Sequence, residues 1–326
     1  MRSILFALIL FALVLAGVCP DDSASGQEAG PQLGQIAGSL ARQQAGRALR
    51  SMNRPVEPFR IIGDIYYVGA SGVSSFLITT PQGHILIDGG FEETVPLIRD
   101  GVRKLGFRFE DIELLLNSHA HLDHAGGLAR LKESTGAAIV MSEADAALLS
   151  RGGRGDFLPL GDALATYPPA RADRLIGDGD RVSHGGVTLT AHLTPGHTKG
   201  CTTWTMTVTE GGDRHEVVFV GGAGVLPGVR LVDNPKYPGM DDDFARTFHR
   251  LKSLPCDVFL APHGFHFDLE EKARRLATGE EPNPFIDPVG YRSFIDRSER
   301  VYLDQLRRET RDSAPPAEPN RPDGGR

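Results

Sequence analysis

From Phe59 onward apolar residues come in short runs bounded by turn residues, alternating with polar ones in VTLTAHLT and TTWTMTVTE, and between such runs they recur every three to four positions. Alternation belongs to strands with one buried face, the three-to-four spacing to helices with one buried face. FRIIGDIYYVGA reads as two strands around a Gly63-Asp64 turn. SSFLITT and HILIDGG read as two more, joined by Pro81-Gln82-Gly83, a hairpin signal. Val95, Leu97, Ile98, Val102 and Leu105 fall on one face of a helix closed by Gly106. IELLL predicts a buried strand. A helix from Leu128 to Ser134 ending at Gly136, the strand AAIVMS and the capped helix SEADAALLSRG follow. The segment 152–170, GGRGDFLPLGDALATYPPA, carries Gly and Pro without periodicity, and so long a loop in a compact domain is often functional.

A second β-rich half comprises DRLIGDGDRV, VTLTAHLTP, TTWTMTVTE and HEVVFVGG. The helix DDFARTFHRLKSL, the strand CDVFLAPH and a closing helix over roughly Gly290 to Thr310 complete it. Strands followed by helices, twice over, predict an α+β fold with two packed sheets and helices outside, a four-layer αββα sandwich over residues 56–311. Residues 1–18, MRSILFALILFALVLAGV, have the layout of an export signal: Arg2, the apolar run Ile4 to Leu15, then Ala16-Gly17-Val18. The mature protein is therefore expected in the periplasm or secreted. Cys19 offers a lipid attachment point, but Val18 is bulkier than lipid-attachment signals prefer, so simple export is expected. Residues 19–55 read as an N-terminal arm, and 312–326, Pro-rich and mixed in charge, as a disordered tail.

With 40% apolar and 24% charged residues the composition is that of an ordinary globular protein, and a net charge of −7 argues against nucleic acid or an anionic membrane surface as partner. The apolar run of the signal is short for a membrane span. Of the three cysteines, Cys19, Cys201 and Cys256, the last two would be free to pair after export. Nothing in the sequence brings them together, so no bridge is expected. The oligomeric state is not legible.

The chemistry gathers in NSHAHLDHAGG, residues 117–127, between a strand and a helix. His119 and His121, at i and i+2 on extended chain, point the same way, whereas Asp123 and His124 come from the next turn and aim elsewhere. One cation cannot use all four; two adjacent cations can, given further ligands. His197 in LTPGHTKG and His263 in FLAPHG, both at strand ends, supply them. The expected sites are His119, His121 and His197 for one Zn2+, and Asp123, His124 and His263 for a second. Each leaves a position for water, the pattern of catalytic zinc. His84, His184, His192, His215 and His249 have no partner motif and read as ordinary surface or core histidines. His266 is a spare beside His263, and Pro262-His263-Gly264 at the strand end favours His263.

H-x-H-x-D-H, then GHT, then a late strand-end histidine resembles the signature of the metallo-β-lactamase superfamily. VDNPKYPG, DDFARTFHRLKSLPCDVFLAPH and NPFIDPVGY narrow the likeness to its subclass B3. The resemblance implies the same two zinc sites, the αββα fold, export, and a buried Asp88 in LIDGG that orients the ligand loop. Glyoxalase II and the lactonases of the superfamily carry a bridging carboxylate where VFVGGAGV has Gly222, and subclasses B1 and B2 use a cysteine ligand near this point. Three positions depart from the subclass pattern. Gly222 stands where a serine is usual, Val229 stands where a tyrosine is common, and Tyr291 replaces the cysteine that pairs with that of LPCD, leaving Cys256 single.

The implied activity is hydrolysis of the β-lactam amide bond, with antibiotic resistance as its consequence. Asp123 would be catalytic beyond ligating, aiming the attacking water. Lys199, two residues past His197, is a candidate anchor for the substrate carboxylate, Gly222 a further substrate-side position, and the loop 152–170 a wall. The same centre acting on lactones or other esters and amides is the alternative. A zinc buffer without turnover is a third, against which the open ligand positions argue.

Overall fold

The computed structural model describes residues 51–158 and 165–312. The first sheet runs, edge to edge, through β1 (Phe59–Ile62), β2 (Ile65–Tyr67), β3 (Phe76–Ile78), β4 (His84–Ile87), β5 (Ile112–Leu116), β6 (Ala138–Ser142) and β7 (Arg174–Ile176). Its first four strands are antiparallel neighbours and its last four are parallel. Parallel neighbours need crossovers, and the helices α1 (Val95–Lys104), α2 (Leu122–Ala125), α3 (Leu128–Thr135) and α4 (Glu143–Ser150) lie in them. The second sheet contains β8 (Arg181–His184), β9 (Val187–Leu193), β10 (Thr202–Glu210), β11 (Asp213–Phe219) and β12 (Val258–Leu260) in spatial order β12-β11-β10-β9-β8. Helices α5 (Met240–Ser253), α6 (Leu269–Ala277) and α7 (Pro288–Asp312) complete the second half.

Period-two patterning shows which face goes where. Phe76, Ile78, Ile85, Ile87 and Leu116 enter the core between the sheets with Leu189, Trp204, Val217 and Phe219. Their neighbours Leu77, Leu86 and Leu115 point the other way, against Val95, Ile98 and Val102 of α1 and Leu128 and Leu131 of α3. Phe244, Phe248 and Leu251 of α5 and Phe294, Ile295 and Tyr302 of α7 join the core from the far side. The αββα layering read from the sequence is what forms, and α3 stops at Gly136 in the left-handed region (φ 76°).

Three local readings change. DRLIGDGDRV, read as one part of the second half, is divided between the sheets. β7 pairs parallel with β6, while β8, on the other side of the Gly177–Asp180 turn, pairs antiparallel with β9. Helix α6 was not expected, although Leu269 and Leu276 of LEEKARRLA share the face that packs on the core. Only Leu269 and Lys272 are buried, and Lys272 pairs with Asp287 at 2.7 Å. The hydroxyl of Ser142 does not cap α4; it donates to the carbonyl of Gly200 at 2.6 Å. The export segment, residues 19–50 of the arm, residues 159–164 and the tail from 313 lie outside the described residues. Among the described residues no helix is long and apolar enough to cross a membrane.

Candidate metal centre

The side chains singled out by the sequence come from the C-terminal ends of strands in both sheets. β5 runs into Asn117–His121, and the one-turn helix α2 carries Asp123 and His124. His197 lies in the β9–β10 loop and His263 three residues past β12. Gly196 has φ 127°, and a Cβ there would lie 2.8 Å from the Phe244 ring, so only glycine makes that turn against α5. His119, His121 and His197 bring ligand atoms within 4.8 Å of one another, and so do His119, Asp123 and His124. His263 Nε2 stands 3.7 Å from Asp123 Oδ2, and the His124 and His263 ring centroids are 4.8 Å apart. All six groups therefore meet at one end of the sandwich. His266 packs its ring on His263 and Phe294 instead, at 5.2 and 4.8 Å.

Hydrogen bonds decide which ring nitrogen each histidine offers. The Ser118 hydroxyl donates to Asp88 Oδ2 at 2.6 Å, so its oxygen accepts from His119 Nδ1 at 3.0 Å, leaving His119 Nε2 with the lone pair. His197 Nδ1 donates to the Gly224 carbonyl at 2.7 Å and His263 Nδ1 to that of Gly72 at 2.9 Å, which frees both Nε2 atoms. Asp88 does more than hold Ser118. Its Oδ1 accepts from the Ser118 N–H at 2.7 Å and from Asn117 Nδ2 at 2.9 Å, and its Oδ2 lies 3.5 Å from His124 Nδ1. Asp88 thus fixes the chain around His119 and faces the His124 ring.

Two carboxylates escaped the sequence reading. Asp145 of α4 is buried and accepts from the Ala120 N–H, the Gly200 N–H and the Thr198 hydroxyl, at 2.9, 2.9 and 2.8 Å. It thereby ties the His119–His121 turn to the His197 loop. Asp156, from the long loop, places Oδ2 3.3 Å from His121 Nε2. Tyr167, at the other end of that loop, donates to the Ala120 carbonyl at 2.6 Å.

Charges in the cluster are uneven. Burial, then the neighbouring imidazoles, hold His119 well below the ordinary histidine range. Burial first, with a neighbouring imidazole next, takes His197 down to about 3 and His263 to about 4. Burial also works against a proton on His124, but the Asp123 carboxylate and then Asp88 outweigh it and push that imidazole up to about 10. Burial favours a protonated Asp123; the adjacent charge on His124, 3.3 Å away, and then His263 and His121 override this and keep the carboxyl well below its usual range. Both nitrogens of His124 and Nε2 of His121 are buried without an aligned hydrogen-bond partner. Neutral imidazoles with exposed lone pairs, a carboxylate and orphaned ring nitrogens fit a divalent cation site.

One consequence is a pH dependence of chelator-treated protein. Unfolded histidines take up protons near 6.5, whereas folded His197 and His263 remain neutral down to about 3 and 4. Protons therefore favour the unfolded chain, and stability falls as pH drops from about 6.5 to about 4. His124 has the opposite sign, but its contribution is complete below 6.5 and is lost only as pH rises toward about 10. Urea midpoints in EDTA across pH 4–6.5 test this; a midpoint that rises toward acid would contradict it.

A family profile described as the metallo-beta-lactamase superfamily matches residues 68–208. The native FEZ-1 metallo-beta-lactamase from Legionella gormanii superposes with a TM-score of 0.78 at 42% identity, over 79% of this chain and 98% of that one. The chain belongs to the metallo-β-lactamase superfamily. Within it, BJP-1, a subclass B3 metallo-beta-lactamase of Bradyrhizobium japonicum, aligns at 40% identity and TM-score 0.76, over 82% of this chain and all of that one. The N-acyl homoserine lactonase AttM of Agrobacterium fabrum is 32% identical over 158 residues, 39% of this chain and 57% of that one. This superfamily member spans about half to two thirds of the length of the first three curated relatives it matches.

The positions where this superfamily member departs from the B3 pattern have definite surroundings. A Cβ on Gly222 would lie 2.1 Å from Cδ2 of His197, so with the ring held by Gly224 the position has no room for a side chain. Val229 is buried in the core. Cys201 and Cys256 are both free thiols, and Tyr291 donates its hydroxyl to the Leu251 carbonyl at 2.7 Å. Lys199 is exposed, with Nζ 5.2 Å over the ring of Tyr237, against which Phe157 packs edge-on at 5.2 Å.

Proposed function

We propose that this chain is an exported β-lactamase of the B3 type that holds two zinc ions and opens the β-lactam amide bond. One observation carries the reading. Two ligand sets, His119–His121–His197 and Asp123–His124–His263, adjoin on strand ends of a chain 42% identical to a β-lactamase over nearly all of the latter's length. Bound zinc would supply a polarising charge for the scissile carbonyl and a water that ionises at neutral pH.

The chain's own groups do the rest. Water oxygen bonds to the carbonyl carbon, the C–N bond breaks, and the nitrogen ends protonated. Asp123 is anionic throughout the working range and accepts a hydrogen bond from the attacking water, fixing its direction of approach. Asp88, Gly72 and Gly224 keep the ring nitrogens aimed inward. Lys199, whose Nζ lies over the Tyr237 ring, would receive the substrate carboxylate, and Phe157 and Tyr237 would form an apolar wall beside it.

A second reading keeps the centre and changes the substrate to a lactone or another exported ester or amide. The bare Gly222, the buried Val229 and the partial likeness to a lactonase favour it. Zinc-loaded protein should hydrolyse a chromogenic cephalosporin, lose that activity in EDTA and regain it with zinc, and act poorly on acyl-homoserine lactones. Lactone opening with the cephalosporin left intact would select the second reading.

A further inference from the structure

Residues 220–239, between β11 and α5, form neither strand nor helix, and they run past the metal cluster. Their start is fixed from the second sheet. The Gly221 N–H donates to the Thr203 hydroxyl at 3.0 Å, the Gly222 N–H to Cys201 Sγ at 2.9 Å, and the Gly224 carbonyl accepts from His197. A turn follows, closed by the Val229 N–H on the Leu226 carbonyl at 3.1 Å, with Val225 and Leu226 half-buried.

The next anchor comes from the far end of the chain. Glu309, in the last turn of α7, accepts the N–H groups of Leu231 and Val232 on Oε2, both at 2.8 Å. Its Oε1 accepts from Gln305 Nε2 at 2.8 Å, and Gln305 Nε2 also donates to the Val229 carbonyl at 2.7 Å. Residues four apart share a helix face, so the pair serves main-chain groups that no strand or helix satisfies. Bonds to a carboxylate are charge-assisted and stronger than neutral ones. From there the loop carries its own register onward. Asn234 Nδ2 donates to the Arg230 carbonyl at 2.8 Å, and its Oδ1 accepts from the Lys236 and Tyr237 N–H groups at 3.0 and 3.3 Å. Tyr237 in turn meets Phe157 and Lys199.

Resting on the proposed function, we propose that Glu309 is a positioning residue for substrate. With Gln305 it clasps residues 229–232 to α7, and so sets the Val225–Leu226 turn and the Tyr237 wall beside the metal centre. Arg230 is exposed and directly precedes the clasped Leu231 N–H, so trypsin reports release of the loop. The test is limited trypsin digestion of the full-length zinc-loaded protein, with cut sites read by mass spectrometry, alongside cephalosporin kinetics and thermal melts. Glu309→Ala should speed cleavage at Arg230–Leu231 by about 10-fold and raise KM by about 10-fold, with kcat within about twofold and zinc content unchanged. Its melting temperature should fall by only about 3 °C. Glu309→Gln, which keeps an acceptor oxygen for both N–H groups, should restore most of both losses. Wild-type cleavage at Arg230 in Glu309→Ala would overturn the proposal. So would faster cleavage with KM unchanged, or cleavage that speeds equally at every tryptic site. A wild type that leaves the cephalosporin intact would instead remove the function reading, and the cleavage rates would still decide the clasp.

Discussion

Asp123→Asn should lower hydrolysis by about 10³-fold or more with zinc saturating, while the chain still folds. The carboxylate lies 3.3 Å from His124 Nε2 and 3.7 Å from His263 Nε2, one anion among imidazoles. Its pKa, held well below the usual range, means that it never serves as an acid at working pH; in the proposed mechanism it acts as ligand and acceptor. An amide of the same shape keeps the packing and one oxygen but loses the charge. The metal is held less tightly, and the attacking water loses a charged acceptor. A second readout follows from the electrostatics. Asp123 is the chief reason His124 is held protonated, so in the stripped variant His124 should titrate well below where it does in stripped wild type. Steady-state rates with metal content measured on the same samples decide the matter. A variant that keeps more than a tenth of wild-type turnover at full metal content would show that Asp123 does not aim the nucleophile.

What was legible in the sequence is what side chains announce. The short apolar runs Phe76–Ile78 and Ile85–Ile87 predict strands, and their burial on both faces follows because Leu77 and Leu86 between the outer residues are apolar too. His119, His121, Asp123, His124, His197 and His263 declare themselves by residue type and strand-end placement, and they do converge. What was not legible depends on partners far along the chain. The groups that orient His197 and His263 are the carbonyls of Gly224 and Gly72, which leave no trace in residue type. Asp145 looks like any polar residue early in a helix, and Asp156 like any acid in a glycine-rich loop. Only the fold shows that one faces two ligand loops and the other a ligand. Helix α6 was missed because its apolar face is narrow: Leu269 and Leu276 share it with Lys272, which lies over the Phe259 and Phe285 rings.

Asp145→Ala should cost about 3–5 kcal/mol of stability and loosen the metal centre at the same time. Burial pushes this carboxyl up from its ordinary value, with the Thr198, Ala120 and Gly200 donors pulling the other way. Truncation leaves two main-chain N–H groups and a hydroxyl in a dry site without an acceptor, each costing about 1–3 kcal/mol less whatever water enters the new space. Partial relaxation keeps the total below the simple sum. For a chain of this size that loss lowers the melting temperature by roughly 10 °C. The effect should reach the centre because the three donors lie on both loops that carry ligands: Ala120 between His119 and His121, Thr198 and Gly200 just past His197. Asp145→Asn should fall between wild type and alanine, since its amide keeps one acceptor but turns an N–H2 toward a donor. Urea unfolding of stripped protein gives the stability change, and chelator competition gives the metal affinity. A destabilisation under about 1 kcal/mol, or a full loss of stability with metal affinity untouched, would show that the two ligand loops are held in register by something other than this carboxylate.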